Sequence, residues 1–199
     1  MDNDKEIEKL LGIKTTGRDD TRADSYNYPY EPTDYCVLKR LAECGYIGKK
    51  NHLVDYGCGK GRVSFYLAYE VGCNTTGVEY DERLYNRALN NLENFSKKSK
   101  VNFICADARS YDFPDSVDRF YFFNPFSVEV MGSVIRRIID SYYENERDIL
   151  LFFYYPSDEY VASLTTNTEL SFVDEINCDD MFMRNKESYR ERILIFSVG

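Results

Sequence analysis

The side chains best able to do chemistry together in this chain are Asp55, Glu79, Asp107 and Asn124, with three alternate glycines. Asp55 closes the apolar run Leu53-Val54 and is followed by Tyr56-Gly57-Cys58-Gly59-Lys60-Gly61-Arg62. Glycine lacks Cβ, so such a turn can take positive φ and let a ligand lie against bare backbone. A helix starting directly after it aims free N–H groups and a positive dipole end at the same spot. The result is a nucleotide-sized site. Glu79, ending Gly77-Val78-Glu79, can accept both hydrogen bonds of a ribose diol, whereas Asp81 is better suited to capping a helix. Asp107, in Cys105-Ala106-Asp107-Ala108, can accept from an exocyclic adenine amine while the Ala108 N–H donates, or it can cap a helix. In Asn124-Pro125-Phe126 the proline fixes the chain and removes a donor, leaving the Asn124 side chain and carbonyls as acceptors for an amine. Phe126 can stack on a flat or cationic group, or the same residues can form an aromatic turn that caps the core.

Spacing narrows the choice of nucleotide. The nicotinamide fingerprint needs glycine at the first, third and sixth positions, but here Gly57 and Gly59 are followed by Arg62 in the sixth place. A phosphate loop needs Ser or Thr directly after its lysine, and Lys60 is followed by Gly61.

Positioning these groups requires alternating strands and helices. Strands are expected at Leu53 to Tyr56, Thr75 to Glu79, Val101 to Cys105, Arg119 to Phe123 and Ile149 to Tyr154. The intervening helices are expected at Gly61 to Glu70, at Asp81 to Phe95, and through Met131, Val134, Ile135, Ile138 and Tyr142. A short helix, Asp158 to Leu164, precedes two closing strands, Leu170 to Asn177 and Arg192 to Val198, which suggest a hairpin adding one antiparallel strand. Near-continuous apolar strands alternating with amphipathic helices mean a parallel sheet covered on both faces. Ligands of such sheets sit beyond the carboxyl ends of the strands at the switch point, where the four candidate groups fall. Upstream, Lys5 to Ile13 reads as a helix and Thr15 to Asn27 as a mobile polar linker. The segment Tyr28-Pro29-Tyr30-Glu31-Pro32-Thr33 leads into a helix capped by Thr33 or Asp34, burying Val37, Leu38 and Leu41 and ending near Gly45. The chain is therefore expected to divide into an N-terminal helix and flexible arm, 1–29, and a single domain, 30–199.

Together these segments resemble the class I S-adenosylmethionine-dependent methyltransferases. Asp55 to Gly61 is similar to that family's first motif, Gly77-Val78-Glu79 to its second, Cys105 to Ala108 to its third, and Asn124-Pro125-Phe126 lies where its fourth stands. The resemblance implies a three-layer α/β fold, Rossmann-like, with a seven-stranded, mostly parallel sheet and one antiparallel strand. It implies S-adenosyl-L-methionine as cofactor, held by Asp55, Tyr56, Gly57, Cys58, Gly59, Gly61, Arg62, Glu79, Tyr80, Asp107, Ala108 and Asn124. Within that set, Asp55 and the glycines meet the methionine end, Glu79 the ribose and Asp107 the adenine. The fourth motif lacks one of the two prolines found in many amine-directed members. Pro32-Thr33 with Val54-Asp55 and Gly77-Val78-Glu79 also looks similar to the lysine methyltransferases that use this fold instead of the SET fold. Asn124 is then the candidate catalytic residue, orienting the acceptor, and Tyr28, Tyr30, Thr33, Pro125, Phe126, Tyr154 and Tyr155 are candidate walls of its pocket.

Composition sets the outer bounds. The 199 residues suffice for one domain with a sizeable core, and 43% hydrophobic with 16% aromatic residues excludes a disordered chain. A net charge of −9 with only short basic runs leans away from nucleic acid and towards a protein or small-molecule acceptor. The six scattered cysteines read as buried reduced thiols, and the single histidine, His52, as a strand-edge residue, so neither a zinc site nor a histidine-based triad is expected. A charged N-terminus and the lack of any apolar run of about 20 residues make a cytoplasmic protein the expectation. The expected activity is methyl transfer to a nitrogen of a protein side chain or small molecule. The alternative is a non-catalytic cofactor-binding or interaction module.

Overall fold

The computed structural model describes residues 2–19, 21, 30–182 and 190–199. Its strands are β1 (His52–Tyr56), β2 (Asn74–Glu79), β3 (Val101–Cys105), β4 (Arg119–Phe122), β5 (Leu150–Tyr154), β6 (Leu170–Asn177) and β7 (Arg192–Val198). They form a seven-stranded sheet in the order β3-β2-β1-β4-β5-β7-β6. Neighbours from β3 to β5 are parallel, and β7 runs antiparallel to both β5 and β6. The expected single antiparallel strand is therefore β7, inserted between β5 and β6.

The helices are α1 (Asp2–Leu11), α2 (Tyr35–Glu43), α3 (Arg62–Glu70), α4 (Glu82–Asn94), α5 (Val128–Glu144) and α6 (Asp158–Thr166). Two separate apolar clusters show why the central strands read as unbroken apolar runs. On one face Leu53, Tyr121 and Phe152 pack with Val37, Leu38 and Leu41 of α2 and with Phe65 and Leu67 of α3. On the other, Val54, Phe120, Phe122 and Phe153 pack against Val134, Ile135 and Ile138 of α5 and Tyr160 and Leu164 of α6. Alternate residues of each strand serve opposite faces. At roughly 25 cal/mol per Å² of apolar area, such double burial is the main favourable term for the sheet.

Several boundaries differ from expectation in ways that local geometry explains. Asp81 lies outside α4 as its N-cap, its side chain accepting from the Arg83 N–H, so the helix starts one residue later. Gly61, with φ 87°, is the left-handed N-cap of α3 rather than its first residue. Helix α1 ends at Leu11 because Gly12 turns the chain at φ 72°, leaving Ile13 to drop into the core.

The arm departs most from the sequence-based reading. Thr15, expected in a mobile linker, is fully buried, and Asp19 pairs with Tyr30 in an isolated antiparallel bridge. Residues 22–29, including Tyr28, lie outside the described residues. Among the described residues no helix is long and apolar enough to cross a membrane.

Candidate functional site

Strand order reverses between β1 and β4, and the loops beyond the carboxyl ends of β1, β2, β3 and β4 surround a cavity of about 500 Å³. That lies within the ~300–1,000 Å³ usual for small-molecule sites. Asp55 stands on the central strand, flanked in register by Gly77 on β2 and Tyr121 on β4.

The glycine turn is built for close approach. Gly57, Gly59 and Gly61 have φ of 72°, 55° and 87°, all left-handed. The N–H groups of Gly57 and Cys58 both donate to the Val78 carbonyl, at 2.9 and 3.1 Å, and the Gly61 N–H donates to the Cys58 carbonyl at 2.8 Å. A Cβ on Gly57 would stand 2.4 Å from Cβ of Pro125, so the first and fourth loops meet there. A Cβ on Gly59 would stand 2.1 Å from the Tyr30 ring, which lies across the turn.

Glu79 organises this turn. Its Oε2 accepts from the Gly59 N–H and its Oε1 from the Asp81 N–H, both at 2.8 Å. Each oxygen keeps a lone pair for a further donor. Asp55, 3% exposed, accepts from Ser64 Oγ at 3.2 Å. Burial pushes its carboxyl up to about 7, with the nearby Glu79 charge adding to the rise and Ser64 opposing it. Burial also raises Glu79, against the backbone N–H groups that hold its charged form. Two desolvated carboxylates facing one cavity make a site that favours a cation or a cluster of donors.

At the far end of the cavity, Arg109 forks onto Asp107, with Nε at 3.0 Å from Oδ1, and holds that carboxyl below the usual range. Tyr80, 59% exposed, lines the same wall with Ala106 and Ala108. At the opposite end stand Pro32, Thr33, Tyr121, Phe123, Asn124, Pro125 and Phe126. There the Thr33 and Tyr121 hydroxyls are 2.9 Å apart.

Of the expected site residues, the fold gathers Asp55, Tyr56, Gly57, Cys58, Arg62, Glu79, Tyr80, Asp107, Ala108, Asn124, Tyr30, Thr33, Pro125 and Phe126 around the cavity. Gly59 and Gly61 support it from behind, the first beneath Tyr30 and the second against Phe103 and Phe65. Tyr154 and Tyr155 do not line it. Tyr154 is buried, with its hydroxyl donating to Glu191 at 2.7 Å and its ring against Phe123. Tyr155 turns at φ 50°, and its N–H donates to the Arg192 carbonyl.

Two further residues differ in what their side chains do. The Asn124 amide is already used: Nδ2 donates to the Tyr155 carbonyl and Oδ1 accepts from the Ser157 N–H at 3.4 Å, joining the fourth loop to the start of α6. Arg62, 2% exposed, turns to the N-terminal segment. Its Nε donates to Thr15 Oγ1 at 2.7 Å and its Nη1 to the Thr33 carbonyl at 3.2 Å, while its guanidinium lies over the Tyr35 ring. Asn91, not singled out from the sequence, is a buried tie: it accepts from the Lys14 N–H at 2.8 Å and donates to the Lys60 carbonyl at 3.0 Å. An asparagine on the inner stripe of α4, between Ala88 and Phe95, was the available signal. His52 begins β1, with its ring nitrogens 3.2 Å from Ser116 Oγ and 2.9 Å from Thr76 Oγ1.

Residues 53–144 match the family model described as a methyltransferase domain. Three solved structures share the fold. A TehB-like SAM-dependent methyltransferase from Corynebacterium glutamicum gives a TM-score of 0.59 at 13% identity, over 81% of this chain and 88% of that one. An RNA methyltransferase from Salinibacter ruber, in complex with S-adenosyl-L-homocysteine, gives 0.58 at 16% identity, over 84% and 94%. The P. horikoshii TYW2 protein in complex with MeSAdo gives 0.60 at 14% identity, over 85% and 64%. A local sequence match, 39% identical over 69 residues, joins 35% of this chain to a histone-lysine N-methyltransferase, H3 lysine-79 specific, of Dictyostelium discoideum. The chain spans only 4% of the length of that relative.

Residues 53–144 therefore form a methyltransferase domain within a Rossmann-like fold, and the cofactor indicated for that domain is S-adenosyl-L-methionine. The residues present fit that cofactor. The desolvated Asp55–Glu79 pair would offset its ammonium and sulfonium, and the remaining lone pairs of Glu79 would suit its ribose diol.

Proposed function

We propose that this chain moves the methyl group of S-adenosylmethionine to a nitrogen of a protein side chain or small molecule. The observation that carries the cofactor half is the buried carboxylate pair, Asp55 and Glu79, at the head of a cavity on the switch point. For the acceptor half, support comes from the local likeness to a histone-lysine N-methyltransferase and from the aromatic and amide residues at the other end.

The cofactor supplies a sulfonium methyl, already activated for transfer. What the protein adds is position and dryness. With the cofactor bound, Asp55 would hold the ammonium, Glu79 the ribose hydroxyls, and Asp107, to which Arg109 now donates, the adenine amine. Held so, its methyl end would be left to Pro32, Thr33, Tyr121 and the Asn124-Pro125-Phe126 loop, which line the same cavity. An acceptor nitrogen seated there must approach along the line of the breaking bond, at about 3–3.5 Å. Asn124 acts by fixing the shape of that loop through Tyr155 and Ser157, leaving its own carbonyl and those beside it to orient the acceptor. Phe126, buried with its ring edge-on to Tyr56 and Phe122, keeps the loop against the core.

The test is incubation of the pure chain with methyl-labelled cofactor and fractionated peptides, basic proteins and small amines. Base-stable label recovered after hydrolysis as an N-methyl amino acid or methylated amine supports transfer to nitrogen. Label that base removes points to oxygen and overturns the acceptor assignment. Tight cofactor binding with no label in any fraction favours the non-catalytic module instead.

A further inference from the structure

We propose that residues 4–19 and 30–33 form a strap that retains the cofactor, latched by Arg62 as a positioning residue. This rests on the assignment of the cavity to S-adenosylmethionine. Arg62 is the first residue of α3, directly behind the glycine turn, and its side chain is 3% exposed. A guanidinium buried that deeply needs counter-charges. The described ones come from α1: Glu8 Oε1 lies 3.2 Å from Nη2 and Asp4 Oδ2 3.5 Å from Nη1.

Glu8 does more than balance the charge. The same Oε1 accepts from Thr15 N at 2.8 Å, Thr15 Oγ1 at 2.6 Å, Thr16 N at 2.8 Å and Thr16 Oγ1 at 2.9 Å. Arg62 answers on the other side, its Nε donating to Thr15 Oγ1 at 2.7 Å and its Nη2 to Thr16 Oγ1 at 3.0 Å. The turn after α1 is thus held between an acid and a base. Leu11 and Ile13, buried in the core, fix its foot.

The latch reaches the cavity by two routes. The Thr15 carbonyl accepts from the Tyr30 hydroxyl at 2.6 Å, and the Tyr30 ring lies across Gly59. Arg62 Nη1 donates to the Thr33 carbonyl at 3.2 Å, and Thr33 lines the cavity beside Tyr121. Lys60 adds a third tie, donating to the Thr16 and Gly17 carbonyls at 3.0 and 3.2 Å from above the Tyr30 ring. Asp19, Tyr30, Glu31, Pro32 and Thr33 form one wall of the cavity. A ligand seated on the glycine turn leaves past that wall, so opening of the latch sets its escape rate.

The experiment measures dissociation of S-adenosylhomocysteine from the full chain by stopped-flow competition, well below the melting temperature, in wild type, Glu8→Ala and Thr16→Val. Glu8→Ala should speed release by about tenfold, the effect of losing one charge-assisted contact. Thr16→Val, which removes one exposed hydroxyl from the latch, should give a smaller change of the same sign. It carries the test if Glu8→Ala does not fold. S-adenosylhomocysteine should also slow tryptic cleavage after Lys14 and Arg18 in the wild type. Unchanged release in the variants with unchanged cleavage overturns the strap but leaves the cofactor site standing. Absence of binding in the wild type overturns the site assignment itself.

Discussion

Replacing Asp55 by Asn should stabilise the ligand-free protein while destroying its cofactor affinity. The Asp55 carboxyl is raised from 3.8 to about 7 by burial, with the Glu79 charge adding to it. A raised carboxyl favours the protonated folded state, so the stability it contributes is fully present below pH ~4 and is lost as pH climbs through about 7. The full linkage corresponds to about 4 kcal/mol at pH 8. Asparagine keeps an acceptor for Ser64 but is itself a buried polar group, so the realised gain should be about 1–3 kcal/mol. For a chain of this length that is a rise of about 2–4 °C in melting temperature per kcal/mol. The assay is a pair of thermal melts, with and without S-adenosylmethionine, at pH 8 and pH 5. Without ligand, the variant should melt higher at pH 8, and its advantage should shrink at pH 5. With ligand, only the wild type should shift upward. A variant that melts lower than wild type at pH 8, or gains as much from the cofactor, would refute the assignment of Asp55 as a strained anchor for a cation.

Cofactor binding should itself ionise Asp55. At pH 6 it should release a proton, and apparent affinity should rise as pH climbs through about 7; calorimetry in buffers of different ionisation heat reads this directly. Glu79→Gln keeps an acceptor for one backbone N–H but loses the charge, and cofactor affinity should fall about tenfold or more by titration. Gly59→Ala drives a methyl into the Tyr30 ring at a left-handed φ of 55°, so both stability and cofactor binding should drop. Gly132→Ala, on α5 with nothing within 4 Å of the new methyl, should raise stability by about 1 kcal/mol and leave binding unchanged.

Much of this site can be read from the chain because its parts are local. Asp55, Glu79 and Asp107 each lie at or beside the carboxyl end of a strand whose apolar run and following turn are visible in sequence. The sheet rule then brings those ends together. Roles that local sequence does not reveal depend on contacts across long separations. Arg62 sits in the glycine turn and so reads as a ligand, yet its partners Glu8, Thr15 and Thr33 are 54, 47 and 29 positions away. No local pattern marks that network, and a polar stretch such as Thr15 to Arg18 reads as linker until its acid and base are placed in space. Tyr154 and Tyr155 show a different limit. Tyr154 ends β5 and Tyr155 follows it, at the same carboxyl end of the sheet, but a Glu191 partner holds the first in the core and a positive φ turns the second aside.

Titrating S-adenosyl-L-methionine into the full chain at pH 8 by calorimetry, with Asp55→Asn in parallel, tests the cofactor site most directly. Saturable single-site binding to the wild type, with much weaker binding to the variant, is the expected result. No binding to the folded wild type, or equal binding to both, would contradict it.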